Sequence, residues 1–379
     1  MFRTSKLKEL AVKTPASRDR CVDFLRAFSI TVVVLGHWIS ALIIRNDGGI
    51  DFRDVVGGVS PGMWAATWVL QVMPLFFFVG GFSNFVTFDS FKRRGKPVSA
   101  FLRTRAVRLL KPTSIFLVIW SIIFIMIHLF FREKAWLVKS TLVLLGPLWF
   151  LAVYIVVVLF APVMWELHRR YHLLIPVILA VLTVIVDILR FGMQIPVVKW
   201  ANVAFVWFFV HQLGFFYADG SLLRVRKWVH VVMAVGSLAV LIVLTNIGVY
   251  PKSMMGIRFE KVSNMNPPTI CIVVLTCWLI GAAMLLRNRV NRWLSRLRPW
   301  MTVIAANTVI MTFYLWHLTA FAIAYLLLYP IGLGREIDSK LFWWLQRPVW
   351  IIVPGIILAG LVAIFGRFER HVHHKRTET

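Results

Sequence analysis

The sequence predicts an all-α membrane protein, a polytopic bundle of about ten transmembrane helices with both termini cytoplasmic. Three observations carry this reading. Hydrophobic residues make up 59% of the 379-residue chain, and its mean hydropathy is +0.78. Apolar runs near the ~20 residues that cross a bilayer recur along its whole length. With the N-terminus inside, the inner segments hold about twice as many lysines and arginines as the outer ones, as the positive-inside rule requires.

The spans are expected at 24–44, 63–88, 115–131, 147–165, 173–190, 200–217, 229–246, 270–286, 303–329 and 348–366. This makes residues 1–22 a basic cytoplasmic segment, 23–366 the transmembrane unit and 367–379 a basic cytoplasmic tail. Little chain is left for a soluble domain. The first run is long, begins with a charge and lacks a small-residue cleavage site, so it reads as a retained span and not a signal peptide. Cys21, Cys271 and Cys277 do not form a disulfide or metal pattern. The net charge of +26 is largely a matter of topology and of anionic inner-leaflet lipid. It calls for membrane lipids as partners and for no nucleic acid, and its excess leaves room for an anionic cytosolic ligand.

In the first span, Arg26 and His37 lie eleven steps apart. On a helix that spacing returns to within about 20° of one direction and climbs roughly 16 Å. Arg26 then sits at the membrane surface, with His37 on the same face deep inside. An imidazole at that depth costs free energy unless it bonds a neighbouring helix or serves a function. Its ordinary pKa, near neutrality, suits a general base.

The second span contains Pro74, which can loosen its helix. It also holds Gly80-Gly81, which permits close helix approach or a narrow channel. The richest basic segment, Lys92 to Lys111, leads into the third span. There Arg105 and Arg108 share a helix face, and clustered guanidinium groups form bidentate phosphate sites. In the fifth span Asp187 has Arg190 as a ready partner. In the sixth, His211-Gln212 faces either a cavity or a neighbouring helix. His128 and Glu166 lie near span ends and read as interfacial. The loop 247–269, which contains Lys252, Arg258, Glu260, Lys261, Asn264 and Asn266, is long enough to be a lid or a binding element. In the ninth span His317 stands about as far from the cytoplasmic end as His37 does in the first, roughly 20 Å at 1.5 Å per residue. The tail residues His371, His373 and His374 read as a solvated basic end, and no metal site is expected.

Taken in order, several motifs resemble those of the acyltransferase-3 family of polytopic membrane acyltransferases of bacterial envelope biosynthesis. They are Arg26 with His37, the run Phe76–Phe82, Arg105 and Arg108 with Pro112, Gly146-Pro147-Leu148-Trp149-Phe150-Leu151, and Tyr314-Leu315-Trp316-His317. The likeness covers nearly the whole chain. Where the family usually has a serine before the second glycine of the span-two motif, this chain has Gly80. The soluble esterase-like domain that some members carry is not expected here.

The resemblance implies a membrane O-acyltransferase in the bacterial inner membrane, with acyl-CoA as co-substrate. The acyl group is most often acetyl in such proteins. The CoA phosphates would dock on Arg26, Arg105 and Arg108. The thioester would reach His37, acting as general base on an acceptor hydroxyl or carrying the acyl group briefly. The acceptor would be an envelope glycan or glycolipid reached from outside. His317 is the second catalytic candidate, and Tyr314, Trp149, Asn264 and Asn266 are the candidates for binding substrate. The competing reading is a transporter or flippase of an anionic or glycolipid substrate, which intramembrane histidines and a basic vestibule also suit. No inverted repeat in the sequence supports it.

Overall fold

The structure, a computed structural model, describes residues 4–15, 18–46, 49–54, 62, 64–130, 144–146, 148–255, 262–333 and 340–374. Arg258, Glu260 and Lys261 lie outside them. Among the described residues, ten segments are long and apolar enough to cross a membrane. A short helix α1 (Thr4–Val12) precedes the first of these, α2 (Arg20–Ser40). The chain then turns into an antiparallel pair, β1 (Ala41–Asn46) and β2 (Gly49–Asp54), which joins Ala41 to Asp54 and Asn46 to Gly49. The first span was expected to run to residue 44. It stops at Ser40, and the β-branched Ile43 and Ile44 suit the strand that follows.

The second span is two helices, α3 (Trp64–Leu70) and α4 (Met73–Arg93). Pro74 lies in the first turn of α4, where its missing N–H costs no helical bond, so it starts the helix and does not loosen it. The following helices are α5 (Val98–Phe130), α6 (Leu148–Tyr171), α7 (Leu174–Phe191), a 3-10 turn Pro196–Trp200 running into α8 (Ala201–Ala218), and the short α9 (Ser221–Arg224). The seventh span comprises α10 (Lys227–Val231), a wide turn Val232–Gly236 and α11 (Ser237–Asn246). It is followed by α12 (Ile270–Leu294), α13 (Leu297–Thr308), α14 (Ile310–Leu328), α15 (Lys340–Gln346) and α16 (Val349–His374).

α4 and α8 form the tightest pair. A Cβ on Gly81 would come within 2.0 Å of the His211 carbonyl oxygen, and one on Gly214 within 2.1 Å of the Phe78 carbonyl oxygen. Both glycines are thus required for this crossing, as small residues are where membrane helices meet. His211 and Gln212 face neighbouring helices: Asn84 bonds His211 at 3.0 Å and Gln212 bonds His168 at 2.9 Å. Glu166 pairs with Arg170 on an exposed face, and His128 is exposed. Asp187 does more than answer Arg190. Its carboxylate accepts from Asn202 at 2.9 Å, from Tyr250 at 3.0 Å and from the Ile270 N–H at 2.9 Å, so it caps the start of α12. Burial, with Asp187 alongside, pushes the Tyr250 phenol up, so it remains a donor.

The ninth span, expected as one helix over 303–329, breaks at Val309 into α13 and α14. Thr308, Val309 and Ile310 are all β-branched and weak helix formers. The amide N–H groups released at Met311 and Thr312 are taken by Glu369, at 3.1 and 2.9 Å. Glu369 belongs to the stretch read as tail, yet it is buried in α16, which continues to His374. At the other end of the chain, Trp300 of α13 donates to Thr14 at 2.9 Å. Thr14, close after α1, and Glu369, late in α16, thus hold the start of α13 and the start of α14.

Candidate active site

Three features converge between α2, α4, α5, α6 and α14. Beside the start of α14, Arg26, Arg105 and Arg108 line one cavity with Ser83, Gly80 and Tyr154. Among the described residues lining it none is acidic. Three guanidinium groups around one space make a site for an anion, and planar forks match phosphate oxygens. Counter-charge comes from Asp23, 3.7 Å from Arg26 and itself bonded by Arg18 at 2.6 Å, and from the buried Glu369, whose carboxylate is within electrostatic reach of Arg108. Arg105 is buried; its Nη2 donates to the Ser83 carbonyl, to the Ser83 hydroxyl at 3.2 Å and to Thr87 at 2.7 Å. It therefore braces α5 against α4 as well as lining the cavity. Gly80 has its own reason to be glycine: a Cβ there would lie 2.6 Å from the Tyr154 ring. Tyr154 thus forms part of the cavity wall at a place where a serine would press into it.

Deeper in, Phe76, Leu109, Tyr154, Ile310 and Met311 line both this cavity and a second, wholly apolar one. Phe150 and Tyr314 then line both the apolar neck and a third cavity, which contains His37. Shared walls thus link the three spaces in series, from arginines to histidine. Their volumes are about 40, 10 and 470 Å³. The neck has room for little more than a water, so a ligand arm passes only if side chains such as Phe76 and Met311 swing aside.

His37 lines the large cavity and is accessible there, whereas His317 is fully buried behind it. His37 Nδ1 and His317 Nε2 are 2.8 Å apart, and the rings stack at 5.0 Å. The equal depth expected from counting residues is met, although the helix of His317 begins only at Ile310. The partners fix the tautomers. His317 Nδ1 meets the Tyr314 carbonyl, which can only accept, so Nδ1 carries the proton. In the neutral ring Nε2 is then an acceptor, and it takes the Nδ1–H of His37. That leaves His37 Nε2 with a bare lone pair on a residue that lines the cavity. The indole of Trp38 donates to the His317 carbonyl at 3.0 Å and holds the two helices in register.

The remaining sequence candidates divide. Tyr314, Trp149 and Asn266 line the large cavity, and Trp149 is 46% exposed. Asn264 does not line it. Its carboxamide is buried, donating to the Pro251 and Ser253 carbonyls at 2.7 and 2.9 Å and accepting from Thr269 at 2.9 Å. Asn264 thus staples the loop, and Asn266 faces the space. Gln71, Ser40 and Met255 also line the cavity, and the sequence did not single them out. The loop is docked on α3 by Trp68 to the Lys252 carbonyl at 2.7 Å and by the Met254 N–H to Thr67 at 2.9 Å.

A family model described as an acyltransferase domain matches residues 19–366, nearly the whole chain. With ten apolar segments among the described residues, this makes the protein a multi-pass membrane O-acyltransferase. The chain belongs to the acyltransferase-3 family. Comparison with curated proteins and with solved structures found no match.

Proposed function

We propose that the enzyme moves an acyl group, acetyl in the simplest case, from cytoplasmic acyl-CoA to a hydroxyl of a cell-envelope glycan or glycolipid, within a bacterial inner membrane. The observation that carries this reading is the line of cavities joining the arginine cluster to His37. Arg26 and His37 are eleven residues apart on one helix, roughly 16 Å along its axis. A phosphopantetheine arm, with two amides and a terminal thiol, suits that length and an apolar neck. Arg26, Arg105 and Arg108 bind the CoA phosphates, and the thioester carbonyl comes to rest beside His37. The acceptor enters the large cavity from the opposite face, past Trp149 and Asn266.

His37 Nε2 takes the proton of the acceptor hydroxyl as its oxygen attacks the thioester carbonyl. The C–S bond then breaks, and the CoA thiolate leaves with the proton that His37 Nε2 returns. His317 does not touch the reacting atoms in this scheme. It holds the His37 ring and its tautomer, with Tyr314 behind it, so we treat it as a positioning residue.

Sealed vesicles test the sidedness. Acyl-labelled CoA supplied on the face that carries the arginine cluster should lose its label to the acceptor, while CoA itself stays where it was added. Label moving only when CoA is supplied on the opposite face overturns the arrangement. Free CoA should also raise the unfolding temperature of the wild-type protein by mass action, and raise it less in Arg108→Ala. Equal protection of both removes the dock.

A further inference from the structure

A second histidine pair lies away from the acyl-transfer line and has no part in it. His168 lies in the last turn of α6, His172 forms the turn into α7, and Asp219 closes α8. The two Nε2 atoms approach one Asp219 oxygen, Oδ2, at 3.0 and 3.2 Å, and the three atoms lie within 4.8 Å of one another. From these contacts we infer that His168, His172 and Asp219 form a binding site for a divalent transition-metal ion, zinc foremost.

The geometry fits. Bonds of 2.0–2.1 Å in a tetrahedron set neighbouring donor atoms about 3.3 Å apart, which matches the two separations to Asp219. Two imidazoles and one carboxylate suit zinc and not the all-oxygen cages of calcium or magnesium. A fourth position is left for water, and the Ser221 hydroxyl lies 3.3 Å from His172 Nε2. The backbone of His172 is left-handed, with φ of 38°. A residue with a Cβ adopts that conformation only at a cost, and here it accompanies an imidazole turned back onto Asp219.

The surroundings resemble those of a held ligand. The His168 ring is flanked by Phe216 at 4.7 Å, Phe215 at 5.7 Å and Phe85 at 5.8 Å, an apolar shell that fixes its plane. Behind it, Gln212 is fully buried and meets His168 Nδ1 at 2.9 Å. Donating from its nitrogen, Gln212 places the ring proton on Nε2, which then bonds Asp219; this is the metal-free arrangement. Its Oε1 is buried with no hydrogen-bond partner in that orientation. Turning the carboxamide over brings Oε1 to Nδ1, which can then carry the proton. Nε2 is freed as a ligand, and the same contact serves both states. Ion binding displaces the proton from each Nε2 and ties the α6–α7 turn to the end of α8.

The test uses full-length protein in detergent, purified through a tag without histidines, stripped with chelator and given zinc alone. Metal content after gel filtration should be one equivalent in the wild type. Cobalt in its place should give the intense visible absorption of a tetrahedral site. His172→Asn keeps a residue tolerant of left-handed backbone, and Asp219→Asn keeps an acceptor for the Ser221 N–H, 2.7 Å away. Each should weaken zinc at least tenfold, while replacement of His371, His373 and His374 by alanine leaves it unchanged. Wild type that retains no zinc and gives no tetrahedral cobalt spectrum overturns the proposal. So does zinc that survives both site variants and disappears with the tail histidines.

Discussion

The two histidine pairs of this protein are built alike and oriented by different groups. His37 and His317 have ring centroids 5.0 Å apart, and His168 and His172 have theirs 4.9 Å apart. Behind the first pair stands a neutral carbonyl, that of Tyr314; between the second stands a carboxylate, Asp219. A carbonyl fixes the tautomer without adding charge, so the chain of bonds ends in an uncharged lone pair at His37, as the proposed base in an apolar setting requires. A carboxylate supplies the charge that makes two imidazoles a cation site. The same residue type thus divides its roles according to its partner, and burial alone would not separate them, because His168 and His317 are both buried.

Substitutions break this contrast in order of effect. His37→Ala should lower acyl transfer by about 10²- to 10⁴-fold, the usual share of a general base, with the CoA-induced gain in unfolding temperature retained. His317→Ala removes the orienting partner but not the base. A loss of about 10- to 100-fold in kcat is expected, as for partners that orient metal-bound imidazoles, with KM for acyl-CoA little changed. If His317→Ala were as inactive as His37→Ala, the positioning role would give way to a direct one.

At the other end of the cavity line, Arg108→Ala should raise KM for acyl-CoA about tenfold, the equivalent of ~1.4 kcal/mol, and leave KM for the acceptor unchanged. Arg105→Ala should weaken CoA binding and also lower the unfolding temperature, since it strips Ser83 and Thr87 of their donor. Smallest is the contrast within one loop. Asn264→Ala should cost about 1–3 kcal/mol of stability by orphaning buried partners, whereas Asn266→Ala should change only acceptor kinetics.

Much of the candidate site is legible in the sequence because it follows helical arithmetic. Arg26 and His37 share a face through their eleven-residue spacing, and Arg105 and Arg108 through theirs. His317 could be matched to His37 in depth because both helices run from the same face. What was hidden depends on contacts between distant helices, which periodicity does not specify. Glu369 capping Met311 and Thr312 joins the last helix to the ninth span, and its place in a basic tail disguised it. Tyr154 against Gly80 and Gly214 against Gly81 are shape relations, readable only when both backbones are placed. Asp219 lies 51 positions from His168, outside any local motif. Asn264 and Asn266 are indistinguishable in sequence, and the fold of their loop sets one inward and the other onto the cavity.

The claim on which the rest depends is that an acyl-CoA bound at the arginines presents its acyl carbon to His37 Nε2. Bromoacetyl-CoA, which places an alkylating carbon one bond beyond that position, tests it most directly when the labelled protein is digested and sequenced by mass spectrometry. Alkylation should fall on His37, be suppressed by excess CoA and slow in Arg108→Ala. Alkylation elsewhere, with His37 unmodified in an active and folded protein, would contradict it.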